Sequence, residues 1–206
     1  MQIFFKQNLA CLAVPKTGTT AYELALRADA DIIFARRRKH MTAGQFDRKV
    51  APFLQDSFDF QPERMAVMRH PIEQIRSWYR YRTAPKSKRL TSTTAEISFD
   101  DFVRGVLNDP QTDLFGIGSQ YNFLTLKDGS IPIHHLFAYE VQPLIKSFLG
   151  NRFGKPINPK PKNISPPKPT PLSPEVESLL RKARAPEFAL YDRILQAGGH
   201  FQPFCG

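Results

Sequence analysis

The sequence predicts an α/β protein of three layers (α/β/α), helices on both faces of a central parallel sheet. Three observations predict it. Short apolar runs at 9–14, 64–68 and 135–139 have the length and composition of buried strands. Each gives way within a few residues to a turn and then a helical pattern, the alternation that builds parallel strands joined by crossover helices. The chain of 206 residues, 41% of them hydrophobic, is long enough for one domain with its own core, taken as 1–206.

Taken in order, the first run ends at Pro15. A turn of Lys16, Thr17, Gly18, Thr19 and Thr20 follows, and a helical pattern opens at Ala21. Residues 31–35 read as a strand. Thr42 begins a helix with Phe46, Val50 and Phe53 at helical spacing. The run 64–68 leads into Arg69-His70-Pro71, with Pro71 where a first helical turn accepts it. Ile72, Ile75 and Tyr79 then share one helical face, while Glu73, Arg76, Ser77 and Arg80 share another. Ser98 is placed to cap a helix over 99–107, with Asp101 in its third position. After the strand at 135–139, a helix over 141–149 is expected to stop at Gly150. The span 154–171 holds seven prolines together with Lys155, Lys160, Lys162 and Lys168, so it is an extended loop or a lid rather than helix or sheet. Ser173-Pro174-Glu175 starts a terminal helix. The span 84–96, rich in Lys, Ser and Thr, is expected to be mobile, and there is no internal repeat.

The loop 15–20 carries the first functional signal. A strand that breaks into a Gly/Thr turn and then a helix aims backbone N–H groups and a positive helix end at one point, which suits a phosphate. Lys16 adds a positive charge there. The pattern is P-loop-like without being a Walker A: Lys16 precedes Gly18, and no glycine opens the loop. That disfavours a nucleoside triphosphatase. Taken alone, the same residues also fit an ordinary polar turn capping a helix. The second unit bears on the choice. Arg69 falls at the carboxyl end of a strand, where open α/β sheets bind ligands, and Ser77 lies two turns into the next helix. Two cationic strand–turn–helix units at one sheet edge fit a nucleotide with two separate phosphate groups.

The pair Val-Pro-Lys-Thr-Gly-Thr-Thr at 14–20 and Met-Arg-His-Pro-Ile-Glu at 68–73, with Ser77-Trp78-Tyr79 following, resembles the sulfotransferases that use 3′-phosphoadenosine 5′-phosphosulfate (PAPS). His40-Met41-Thr42-Ala43, Ser98-Phe99-Asp100-Asp101-Phe102, Lys127-Asp128-Gly129, Phe137-Ala138-Tyr139-Glu140, Leu172-Ser173-Pro174-Glu175 and Phe188-Ala189-Leu190-Tyr191 resemble further landmarks of the carbohydrate-sulfotransferase branch. The resemblance implies a P-loop NTPase-like fold and PAPS as sulfuryl donor, with no metal. Pro15, Lys16, Thr17, Gly18, Thr19 and Thr20 would bind the 5′-phosphosulfate, and Arg69 and Ser77 the 3′-phosphate. The acceptor it implies is a hydroxyl, with a carbohydrate as the best guess.

Sulfuryl transfer needs a base at the acceptor hydroxyl and fixed donors at the leaving phosphate. Lys16 and the loop N–H groups suit the second task. His40 is the first choice for the base, because it follows the strand at 31–35 near the same sheet edge; it also fits a helix cap or a phosphate contact. His70 reads as structural. At least one of His134 and His135 reads as exposed, and His200 lies near a frayed end. Glu23 reads as supporting Lys16 or facing solvent, and Glu140 as holding a positive group. Trp78 and Tyr79 fit adenine stacking, but aromatic residues at helical spacing are more often core, so neither is assigned.

The balance of 29 Lys+Arg against 19 Asp+Glu, a formal charge of +10, favours anionic partners. The basic runs 36–39 and 76–89 fit either a solvated face or a surface that draws in the donor. No nucleic-acid-binding motif accompanies them. Cys11 reads as a small core residue and Cys205 as terminal; neither has metal-ligand spacing, and nothing requires a disulfide between them. No apolar run is long enough to span a bilayer. Relatives in the animal Golgi carry a membrane anchor, so a cytoplasmic, bacterial-type enzyme is expected. Two alternatives stand beside it: an ATP-dependent small-molecule kinase, and a non-catalytic domain of the same fold that binds anionic polysaccharide.

Overall fold

The computed structural model describes residues 1–83, 93–162 and 168–204. Six strands form one sheet in the order β3-β1-β2-β4-β5-β6: β1 (Gln2–Phe4), β2 (Leu9–Cys11), β3 (Ile32–Ile33), β4 (Glu63–Met68), β5 (His135–Ala138) and β6 (His200–Phe201). The expected wholly parallel sheet is corrected to a mixed one. Only β2, β4 and β5 run parallel, while β1, β3 and β6 pair antiparallel. The reason is local. Asn8 adopts a left-handed φ of 46° and its N–H bonds back to Phe5, so the chain turns tightly between β1 and β2. A tight turn of this kind can only join antiparallel neighbours.

Alternate residues of each central strand face opposite ways. Ala10, Ala66, Met68, Leu136 and Ala138 join Phe46, Leu54, Leu124 and Leu190 in one core cluster. Leu9, Met65, Val67 and Phe137 join Leu26, Ile145 and Leu149 in another on the opposite face. Helices therefore cover both faces, as the alternation of strands and helices predicts. A third cluster lies among helices, between α4 (Pro71–Thr83), α5 (Phe99–Asn108) and α8 (Pro174–Ala183). In α5, Phe99, Phe102, Val103 and Val106 are buried at i, i+3, i+4 and i+7, the stripe a packed helix needs. Ser98 caps that helix by accepting the Asp101 N–H at 3.0 Å, as expected.

Some boundaries move. The helical pattern after Thr42 is two helices, α2 (Ala43–Lys49) and α3 (Ala51–Phe58), the first closed by a Thr42–Gln45 capping box. The helix after β5, α7 (Gln142–Phe153), passes through Gly150 and ends at Gly154, which takes the left-handed conformation that terminates helices. The terminal helix is likewise a pair, α8 and α9 (Ala185–Gln196). A short helix, α6 (Gln120–Leu124), has no counterpart among the expected elements. Most of the expected mobile span 84–96 lies outside the described residues; within its remainder Thr94 is fully buried and donates to the Tyr79 carbonyl at 2.7 Å. Residues 163–167 of the proline-rich span and Cys205 also lie outside the described residues. Among the described residues no helix is long and apolar enough to cross a membrane.

Candidate functional site

The carboxyl ends of the three parallel strands open on one side of the sheet, and each contributes to a single cleft of about 650 Å³. β2 leads to Pro15, Lys16, Gly18, Thr19 and Thr20, β4 leads to Arg69, and β5 leads to Tyr139. Ser77 reaches the same cleft from α4, and His40 from the segment before α2. Of the residues expected to bind donor or act on it, all but Thr17 line this space. Thr17 is buried beneath the loop, where its hydroxyl donates to the Val14 carbonyl at 2.9 Å. It shapes the turn from inside.

The turn itself is strained. Lys16 has φ 69° and Gly18 φ 72°, two left-handed residues within three. A non-glycine residue in that region costs of order 1 kcal/mol, and such residues collect at functional sites. Gly18 is required by space as well: a Cβ there would meet the Tyr139 ring at 3.1 Å. With glycine, helix α1 (Thr19–Ala25) begins directly against that ring. The Lys16 ammonium lies 4.0 Å from the Tyr81 ring centroid and 5.3 Å from that of Trp78, a cation–π arrangement.

Arg69 stacks over Tyr139 at 4.7 Å and donates to the Lys16 carbonyl at 3.4 Å, so the 15–20 loop and the turn after β4 touch. Its main chain lies just past β4, where no strand neighbour remains to pair it. The Gln120 side chain stands in for that neighbour. Its Oε1 accepts the Arg69 N–H at 2.9 Å and its Nε2 donates to the Arg69 carbonyl at 2.8 Å. Gln120 is in turn fixed by Glu187, whose carboxylate also accepts from Ser119 and Arg184. Gln120 and Glu187 are each 1% exposed. Glu140 takes the next donor, the His70 N–H at 3.1 Å, and is held by the Tyr191 hydroxyl at 2.6 Å. Gln120→Leu is expected to destabilise the protein by about 1–3 kcal/mol, because it strands buried main-chain groups. Urea unfolding measures this, and an unchanged midpoint would show that Gln120 does not hold the turn.

His40 is exposed overall at the mouth of the cleft, with part of its ring buried. Its Nδ1 lies 2.7 Å from the Ala13 carbonyl, an acceptor, so Nδ1 carries the proton and Nε2 is the basic nitrogen. Burial lowers its pKa below the usual 6.5; the Ala13 contact opposes this and the Lys39 charge adds to it. The ring is neutral at pH 7. Thr42, not His40, caps the following helix.

Several expectations about neighbouring residues are corrected. Glu23 pairs with Lys39 at 2.7 Å rather than supporting Lys16, and Lys39 also donates to the Thr20 hydroxyl at 3.0 Å. Because an ammonium only donates, the Thr20 proton remains available for a third group. Glu140 holds two neutral donors, not a cation. Neither His134 nor His135 is an exposed bystander. His134 accepts the Arg64 N–H at 2.9 Å, and His135 is buried against Glu63 and His200. His200 stacks on Phe137 with centroids 4.1 Å apart. Of the basic run 76–89, Arg76 pairs with Glu73, Arg80 binds Lys168 and Thr170, and Arg82 is buried against Leu114 and Gly116. These arginines hold structure, whereas Arg36, Arg37 and Arg38 are exposed. Lys162 lines the cleft with Pro159 and Pro161, but Lys155 pairs with Asp29 and Lys168 docks on Thr94 and Ala95. Cys11 is a free thiol whose pKa is pushed up to about 12 by burial, which makes it inert.

Sequence reasoning missed Tyr139, Tyr81 and Lys146 as cleft residues, and left Trp78 and Lys162 unassigned. The two aromatics of α4 were within reach: if Ile72, Ile75 and Tyr79 mark the buried face, then Ser77, Trp78 and Tyr81 lie off it. The walls carry four cations, Lys16, Arg69, Lys146 and Lys162, and among the described lining residues there is no carboxylate. Such a cleft favours a ligand with more than one negative group. Compared with protein-family models, curated proteins and solved structures, the chain matches none.

Proposed function

We propose that this protein is a sulfotransferase that takes a sulfuryl group from PAPS and passes it to an acceptor hydroxyl. The observation that carries the reading is convergence: Lys16 with the 15–20 loop, and Arg69 with Ser77, line one cleft at the carboxyl ends of adjacent parallel strands. Two separate cationic stations suit a nucleotide with phosphate groups at two positions. In this reading the loop N–H groups, the Thr20 hydroxyl and Lys16 stabilise charge on the leaving 5′-phosphate. Arg69 and Ser77 take the 3′-phosphate. His40 Nε2 removes the proton from the acceptor hydroxyl as its oxygen attacks sulfur in line with the departing phosphate oxygen. The donor supplies the activated sulfuryl group; the protein supplies alignment and charge.

A kinase would need a carboxylate to hold the magnesium that accompanies ATP, and the described walls of the cleft carry cations and no carboxylate. Calorimetry with 3′-phosphoadenosine 5′-phosphate and AMP tests the donor. The bisphosphate is expected to bind at least tenfold more tightly, since a charge-assisted contact to the extra phosphate contributes about 1.5–3 kcal/mol. Ser77→Ala should narrow that ratio. Equal affinities in the unmodified protein would sink the reading. Salt-sensitive heparin binding with no preference for the bisphosphate would favour a polysaccharide-binding domain acting through Arg36, Arg37 and Arg38.

A further inference from the structure

One residue of the basic run 36–39 turns inward. Arg36 takes a left-handed φ of 50° and opens a single 3₁₀ turn over Arg36–Arg38, closed by the Lys39 N–H on the Arg36 carbonyl at 3.2 Å. The three arginines stay exposed, while the Lys39 side chain is only 14% exposed. Its ammonium rests between two groups of α1, 2.7 Å from the Glu23 carboxylate and 3.0 Å from the Thr20 hydroxyl. Thr20 lines the cleft, and Lys39 and Glu23 stand behind it. We propose that Lys39 is a positioning residue: it fixes the Thr20 hydroxyl as a donor to a phosphate held by the 15–20 loop, with Glu23 cancelling its charge. The proposal rests on the place of Thr20 in the 5′-phosphate station of the sulfuryl-transfer reading.

The argument is one of hydrogen-bond inventory. A hydroxyl has one proton and two lone pairs, and it rotates to suit its surroundings. A lone pair turned toward a phosphate repels it; a proton turned toward it binds it. An ammonium offers protons only, so Lys39 can do nothing but occupy a Thr20 lone pair. That directs the hydroxyl proton to another acceptor. A hydrogen bond from a charged donor also polarises the O–H and strengthens it as a donor in turn.

The pairing with Glu23 separates this role from simple attraction. Lys39 and Glu23 sum to zero charge, so together they add little to the field at the cleft. The pair also reaches His40. The charges acting on that ring are Lys39 and the Met1 amino group, which lower its pKa, and Glu23, which raises it. Removing Lys39 alone leaves Glu23 unopposed, so the His40 pKa rises. Removing both largely restores it. Histidine NMR reads this without any ligand.

Calorimetry on the whole protein with AMP and 3′-phosphoadenosine 5′-phosphate tests the proposal. Lys39→Met combined with Glu23→Gln keeps the net charge; Lys39→Leu with Glu23→Gln serves as a second such pair, and thermal melting confirms folding. Each pair is expected to weaken both nucleotides about tenfold, as Thr20→Val does. Each should add nothing further in a Thr20→Val background, because the two changes remove one and the same contact. Thr20→Ser, which keeps the hydroxyl, should keep the affinity. Undiminished affinity in a folded charge-neutral pair, a full further loss in the Thr20→Val background, or an unmoved His40 pKa in Lys39→Met would overturn the proposal. The ratio of bisphosphate to AMP affinity separates it from the donor reading, since a change at the 5′ station leaves that ratio alone. A matched loss for both nucleotides with no preference between them keeps the role of Lys39 and removes the donor. An intact preference with no loss in the variants does the reverse.

Discussion

Lys16→Ala is expected to lower kcat by about 10²–10³-fold, the range seen when one fixed donor is removed from a developing oxyanion. The affinity for 3′-phosphoadenosine 5′-phosphate should change far less. The reasoning is differential. In the proposed reaction Arg69 and Ser77 would hold the 3′-phosphate in ground state and transition state alike, whereas Lys16, with the loop N–H groups, would act on charge that grows as the sulfur–oxygen bond breaks. The structure has the ammonium over Tyr81, 4.0 Å from its centroid. A cation–π contact of about 0.5–1 kcal/mol at an exposed site yields to a charge-assisted bond to phosphate. Steady-state kinetics with a labelled donor, paired with calorimetry, gives the split. Full turnover in Lys16→Ala would refute the role, and a loss of affinity as large as the loss of rate would recast Lys16 as a simple binding group.

His40→Ala is the second large effect, a fall of about 10²–10⁴-fold in kcat/KM. It also carries a signature in pH. The folded pKa of His40 is lowered below 6.5, chiefly by burial. A base works only when unprotonated. The rate should therefore rise with pH through a midpoint below 6.5 and level off above it, and that acid limb should vanish in His40→Gln. Retention of both rate and limb in the variants would clear His40 of the role. The carboxylates that competed for it in the sequence are otherwise engaged, Glu23 by Lys39 and Glu140 by His70 and Tyr191.

The legible parts of the site were those whose chemistry is local. The loop 15–20 advertises itself because lysine, glycine and threonines follow an apolar run, and Arg69 because it ends another. Gln120 and Glu187 gave no such signal. Glutamine and glutamate are surface residues by default, and only the fold shows them 1% exposed, joined to each other across 67 residues of sequence and, through Gln120, to the Arg69 main chain 51 residues away. The same holds for Tyr139, where the strand before it was expected but the ring's place against Gly18 was not. Among the strands, β1 and β6 escaped notice because two or three residues are too few to show a period.

By itself, the sequence determined the alternation of strand and helix, the Lys/Gly/Thr loop after the first apolar run, and the basic residue at the end of the second, because each follows from neighbours within a turn or two. Only the tertiary structure decided that the sheet is mixed, that β2, β4 and β5 open on one shared cleft, and which of the abundant arginines stay available to a ligand. Strand direction and shared walls depend on pairings between segments tens of residues apart, and a charge is free or committed according to what packs against it. Periodicity records neither.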